Sequence, residues 1–183
     1  MRIYVKYNDN DTYIVNSFEE IKENVIYINC SSNNLESLPE NILDSEHFPN
    51  LQEFNCSDNK LSSLPENMNF PNLKEFYCSD NKLSSLPNNM NFPNLKYFSC
   101  SNNNLKSLPE NILASEHFPN LQYFDCSHNN LTSLPENMKL PNLEHFYCYN
   151  NNLISLPENM NSPNLRYFDC DNNNLKSLPL TIM

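Results

Sequence analysis

From Val25 onward, apolar and polar positions follow one pattern that recurs to the end of the chain. Its fullest form is Leu51-Gln-Glu-Phe-Asn-Cys-Ser-Asp-Asn-Lys-Leu61-Ser-Ser-Leu-Pro-Glu-Asn-Met-Asn-Phe-Pro-Asn72. Seven copies start at Val25, Leu51, Leu73, Leu95, Leu121, Leu143 and Leu165, at steps of 26, 22, 22, 26, 22 and 22 residues. Around each Phe-x-Cys the alternation has period two. It predicts a short strand with Phe54 and Cys56 inward and Glu53, Asn55 and Ser57 outward. The next inward residues are Leu61, Leu64 and Met68, with Ile42 and Ile112 serving in the longer copies. A repeat this short cannot bury its own apolar face, so the copies must stack and share one core. Parallel strands about 4.8 Å apart then form a sheet about 30–35 Å long.

The pattern L-x-x-F-x-C-S-x-N-x-L-x-S-L-P-x-N-M resembles the leucine-rich repeat, L-x-x-L-x-L-x-x-N/C-x-L, over residues 25–183. It departs at two places. The second leucine is Phe in six copies and Ile28 in the first, and the third is Cys in all seven. A large residue facing a small one keeps the layer volume constant. The resemblance implies an α/β solenoid: a leucine-rich repeat horseshoe or arc, with a parallel concave sheet and mostly extended or short 3-10/helical convex segments. The asparagine-rich, glycine-free composition is similar to that of leucine-rich repeat proteins of amoeba-infecting giant DNA viruses or amoebae.

Asn33, Asn59, Asn81, Asn103, Asn129, Asn151 and Asn173 form an invariant column just after the strands. Interior backbone groups lose their ladder partners where the chain turns out of a strand. An amide with two donors and an acceptor can satisfy its own turn and the next coil. The family resemblance implies the same structural ladder.

A longer period overlies the short one: residues 25–94 and 95–164 read as a duplicated three-repeat unit, which 165–183 begins again. All 13 prolines fall in two slots, Ser-Leu-Pro and Pro-Asn, which suits an extended side outside the sheet. In the longer copies, Pro39-Glu-Asn-Ile-Leu-Asp-Ser predicts a short helical turn. Residues 1–24 carry no repeat and read as an N-terminal cap. Arg2–Tyr7 and Thr12–Asn16 predict two strands. Ser17-Phe-Glu-Glu20 predicts a capping box opening a short helix through Glu23. The seventh copy ends in Leu180, Ile182 and Met183 where other copies are polar. Two outcomes stand open there: the tail folds back as a lid, or two chains meet end to end.

The seven cysteines, Cys30 to Cys170, all occupy one inward slot. They read as a packing column of reduced, mostly buried thiols rather than a disulfide framework, and an intracellular setting is expected. His47 and His117 sit three coils apart, roughly 15 Å, too far to share a metal ion. The chain contains no glycine, which removes P-loops, dinucleotide fingerprints and nucleophile elbows. No catalytic, metal or cofactor site is expected. No apolar run is long enough to span a membrane. A net charge of −11 speaks against nucleic acid and anionic membranes, and for a basic partner if any.

The remaining candidate is the outward face of the sheet. Its slot before Phe reads Tyr27, Glu53, Glu75, Tyr97, Tyr123, His145, Tyr167. The slot between Phe and Cys reads Asn29, Asn55, Tyr77, Ser99, Asp125, Tyr147, Asp169, and the slot after Cys is Ser until Tyr149 and Asp171. Packing does not demand tyrosine on an exposed strand, although tyrosine is also a good strand former. Tyr97, Tyr123, Tyr147, Tyr149, Tyr167, His145, Asp125 and Asp169 are therefore taken as a partner-binding patch. The expected function is non-enzymatic protein–protein interaction on the concave face. The alternative is self-association, including a homodimer, through the C-terminal edge.

Overall fold

The computed structural model describes residues 1–8, 11–39, 46–66, 68–110, 117–136, 138–158, 160 and 162–179. Among these, nine strands form a single sheet in the order β2-β1-β3-β4-β5-β6-β7-β8-β9. Strands β1 (Ile3–Lys6) and β2 (Thr12–Val15) make an antiparallel hairpin, and β1 also pairs antiparallel with β3 (Tyr27–Asn29). Then follow β4 (Glu53–Asn55), β5 (Glu75–Tyr77), β6 (Tyr97–Ser99), β7 (Tyr123–Asp125), β8 (His145–Tyr147) and β9 (Tyr167–Asp169). All pair in parallel, with Phe54, Phe76, Phe98, Phe124, Phe146 and Phe168 in one register column. Among the described residues the chain is a parallel-strand solenoid with almost no helix, the arc that the leucine-rich repeat resemblance implies.

The strand phenylalanines stack on one another at 5.4–5.8 Å between ring centroids. A second buried column, Phe48, Phe70, Phe92, Phe118 and Leu140, lies behind the first. Its rings meet the first column edge-on, as where Phe76 and Phe92 lie 5.7 Å apart at 75°. Each such pair contributes about 0.5–1.5 kcal/mol beyond the area it buries. Ser162 stands in this slot at the end of the sixth copy, beneath the strand of the seventh, β9. Its Oγ is buried without a hydrogen-bond partner among the described residues. The core thins there: Leu165, Phe168, Cys170 and Leu175 are only partly buried, and Leu178 is 49% exposed.

The asparagine column closes each coil onto the one before. Asn103 Nδ2 donates to the carbonyls of Cys78, Cys100 and Ser101, each at 3.1 Å. Its Oδ1 accepts from Leu83 N–H at 2.9 Å. Asn59, Asn81, Asn129, Asn151 and Asn173 bond in the same way. The amide thus serves its own turn and the preceding coil. In the first coil, Asn33 bonds the backbone of Arg2, so β1 supplies the missing neighbour.

Sequence reasoning missed two further columns. Asn72, Asn94, Asn120, Asn142 and Asn164 each donate at 2.8 Å to the proline carbonyl at the same Pro-Asn slot of the coil before. The residue before the ladder asparagine is left-handed: Asp58, Asp80, Asn102, His128, Asn150 and Asn172 have φ of 51–54°. In the first coil Ser32 takes the same position at a φ of 56°; in the other six, without glycine, the chain fills it with the side chains that tolerate it best, Asn, Asp and His.

The expected helix through Glu23 is corrected to a single 3-10 turn, Phe18–Glu20. Ser17 makes no side-chain cap bond. Ile21 turns extended and is buried, which carries the chain toward Val25 instead of around a second helical turn. Glu20 still reaches back, but to the N–H of Asn16. The seven cysteines are free and mostly buried, as expected; Cys170 alone is of intermediate burial, with no coil stacked over it among the described residues. The predicted helical turn after Pro39, Ile42, Ile112, and the tail residues Leu180, Ile182 and Met183 lie outside the described residues.

Candidate functional site

Strands β4, β5, β7 and β8 place their middle Phe in the core and their flanking residues on the solvent face; β3 does so with Ile28, β6 also buries Ser99, and in β9 Phe168 is only partly buried. Strict register then sets the outward residues side by side. Tyr97 lies 6.1 Å from Tyr123, Tyr123 6.2 Å from His145, and His145 6.1 Å from Tyr167, centroid to centroid. Tyr147, in the neighbouring column, lies 5.3 Å from Tyr123, 6.4 Å from His145 and 5.6 Å from Tyr167. Five rings therefore form one unbroken series across β6 to β9. Tyr97 and Tyr167 are exposed, and the others half-buried. Because the rings lie against one another, much of the surface they offer is edges and hydroxyl tips.

Tyr149 is not part of this series. Its ring meets His128 edge-on at 5.1 Å, on the turn beyond the strand, where Asn150 Nδ2 also reaches the His128 ring at 3.1 Å. His128 and His145 are thus separate.

The carboxylates have a partly structural task. Asp125 Oδ1 accepts from the N–H of Ser127 at 2.9 Å and its hydroxyl at 2.6 Å, and Asp169 Oδ1 accepts from the N–H of Asp171 at 3.0 Å. Asn29 and Asn55 make the same bond from the same slot. The second carboxylate oxygen accepts no hydrogen bond among the described residues.

Burial, helped by Asp125, Tyr147 and Tyr149, pushes the Tyr123 phenol up to about 12. Burial also raises Tyr147, with Tyr167 and the two aspartates adding to it. Both hydroxyls stay protonated donors at neutral pH.

The N-terminal half of the face is different. Glu53 and Glu75 lie directly opposite on β4 and β5, and Tyr77 donates to Glu75 at 2.8 Å. Burial first, then the Glu75 charge, raises Glu53. Between the halves, Ser79, Ser99 and Ser101 join their hydroxyls at 2.7–3.3 Å. The three outward columns hold no lysine or arginine. Lys6 on β1 lies 4.8 Å above the Tyr27 ring.

Buried thiols make a third in-register column. Cys30, Cys56, Cys78 and Cys126 each direct Sγ to a carbonyl of the following strand at 3.4–3.5 Å. Burial raises their pKa, that of Cys30 to about 12. Among the described residues, no group of His, Cys, Asp and Glu converges as metal ligands would.

A family profile described as Leucine Rich repeats (2 copies) matches residues 71–115, 93–137 and 119–161. The chain is a leucine-rich repeat protein. Among solved structures, this leucine-rich repeat chain is similar to YopM from Yersinia enterocolitica, with 30% identity and a TM-score of 0.70 over 87% of this chain and 31% of that one. It is also similar to InlP of Listeria monocytogenes, with 31% identity and a TM-score of 0.66 over 80% of this chain and 40% of that one. A Shigella effector LRR domain follows the same fold at 26% identity and a TM-score of 0.53, covering 82% of this chain and 70% of that one. The chain thus spans less than half the length of the first two. No curated protein matches it at a significant level. Leucine-rich repeat folds of this kind are typically protein-interaction modules without enzymatic activity.

Proposed function

We propose that this solenoid is a non-enzymatic protein-interaction module whose partner docks on the solvent face of the sheet, over β6 to β9. The observation that carries it is the unbroken ring series Tyr97–Tyr123–His145/Tyr147–Tyr167, built where the core makes no demand for aromatic residues. Tyrosine gives large contact area at low entropy cost, with a hydroxyl to orient the partner. Asp125 and Asp169, without a cation in the outward columns, favour a basic partner. Tyr149 belongs to the rim, beside His128. Residues 1–24 are read as the cap of the first coil. An intracellular setting is part of the proposal and rests on the free thiols; a viral or amoebal source rests on composition alone.

The test is affinity capture with wild type beside Tyr123→Ala/Tyr147→Ala and an exposed control, Glu136→Gln. Proteins retained by wild type and the control but lost by the tyrosine variant, at unchanged melting temperature, support the reading. Equal retention by all three moves the site off this face.

Self-association is the second reading. It is favoured by the seventh coil, where Phe168, Cys170 and Leu175 are incompletely covered and β9 has no outer strand among the described residues. Light scattering over a tenfold concentration range tests it, and a constant monomer mass rejects it.

A further inference from the structure

We infer that the occupant of this face is a segment in polyproline II conformation, carrying basic side chains at positions i and i+3 and lying along the solenoid axis. The inference rests on the reading that the ring series is the binding site, and adds the shape and spacing of what binds. Asp125 on β7 and Asp169 on β9 share the middle outward column, two strands apart, with Tyr147 of β8 between them. Strand spacing puts the two slots about 9.6 Å apart. A polyproline II helix brings residue i+3 over residue i after about 9.3 Å, so two cations on one side of it meet the two carboxylates. A β-strand partner does not match. Its same-side residues recur at about 6.8 Å and 13.6 Å, on either side of the carboxylate spacing.

Hydrogen-bonding capacity points the same way. The strands β4 to β8 are paired on both sides, so the sheet has no backbone groups left to offer a partner across its face. What the face offers is phenolic O–H donors held protonated, Tyr123 and Tyr147 among them. An α-helix has satisfied its own carbonyls and gives these donors little to meet. A polyproline II segment has no internal hydrogen bonds, so its carbonyls are free acceptors. Each aspartate keeps one oxygen for its own turn and has the other available for a cation.

Substitution at the carboxylates leaves the fold intact by the structure's own precedent. Asn29 and Asn55 occupy the same slot and make the same bond to the residue two further on. The experiment is fluorescence anisotropy with four labelled peptides. They are (Arg-Pro-Pro)4, the same composition with its arginines placed at alternate positions, neutral (Gln-Pro-Pro)4, and an alanine-rich helical peptide with arginines at i and i+7. Proteins are wild type, Asp125→Asn, Asp169→Asn, Tyr147→Ala and the equal-charge control Glu136→Gln, each checked by circular dichroism.

The expected result is that (Arg-Pro-Pro)4 binds wild type at least tenfold tighter than the other three. Asp125→Asn and Asp169→Asn should each weaken it at least fivefold, and Glu136→Gln less than twofold. Equal binding of the rearranged peptide overturns the i and i+3 spacing, tighter binding of the helical one overturns the polyproline II assignment, and either leaves the face itself as the site. Loss at Glu136→Gln equal to that at Asp125→Asn reduces the effect to net charge and overturns the spacing. If no peptide binds while the tyrosine variant still loses its captured proteins, the inference fails and the proposed function stands. If peptide binding is unaffected by Tyr147→Ala and both aspartate variants, inference and site fall together.

Discussion

Removal of one rung of the asparagine ladder tests how this stack is held. Asn103 is 7% exposed, and its side chain makes four hydrogen bonds. Asn103→Ala leaves the N–H of Leu83 in the interior without the acceptor that closes it, at a cost of about 1–3 kcal/mol. The carbonyls of Cys78 and Cys100 each lose one of two amide donors, keeping Asn81 and Asn129, at about 0.5–1 kcal/mol each on a net basis. The expected loss is about 3 kcal/mol. For a domain of this size that lowers the melting temperature by about 6–12 °C. Asn104→Ala is the control. Asn104 is exposed, and its backbone N–H bonds Leu83 O whatever the side chain, so the loss should stay within about 0.5 kcal/mol. Asn103→Asp keeps the acceptor but turns a carboxylate toward three carbonyls, so it should be at least as damaging as alanine. Thermal and urea melts followed by circular dichroism give the comparison. An Asn103→Ala protein melting within 2 °C, or about 0.7 kcal/mol, of Asn104→Ala would refute the reasoning. So would an aspartate variant as stable as wild type.

Other predictions rest on the remaining columns. In native protein at neutral pH, a thiol reagent should label Cys170 first, slowly because burial, Asp171 and Asp169 raise its pKa, and the six buried cysteines only after denaturation, when seven react; two or more disulfides in fresh protein would contradict this. The buried thiols have pKa values raised above the ordinary 9.0, that of Cys30 to about 12. Their contribution is therefore complete below pH 9 and is lost as pH climbs toward 12. Each buried thiol costs about 1.4 kcal/mol per pH unit in that window, so the fold should melt cooperatively between about pH 9 and 11. Native circular dichroism at pH 11.5 would count against it. Asn102→Val forces a β-branched residue to a φ of 51° and should cost about 1–2 kcal/mol. Asn104→Val, outside the left-handed positions, should cost less than half as much, and equal melts would show that the left-handed turn is not the determinant.

The repeat itself was legible because the core is periodic. Phe and Cys alternate with polar residues at one spacing, and a coil of 22 residues can satisfy that alternation only by stacking on a like coil. Parallel register, the inward Phe and Cys columns and the asparagine ladder follow from that periodicity. So does the list of residues that share the outer face. Elements that repeat nothing were read less well. Ser17 to Glu23 carries the local signature of a helix start, but burial of Ile21 against the first coil overrides it after one 3-10 turn. Other features depend on distances between coils, which local sequence does not encode. The Pro-Asn dipeptide looks like a proline slot until stacking brings its amide 2.8 Å from the proline carbonyl of the coil before. Asp125 looks like a free surface charge until the strand end folds Ser127 onto it. Tyr149 shares the outward face with Tyr147 in sequence, yet its ring packs edge-on against His128 of the coil before. One-dimensional periodicity determined the columns. Only the tertiary stack decided which side chains within and between columns touch, because contact requires the twist, turn angle and rotamer that neighbouring coils impose on one another.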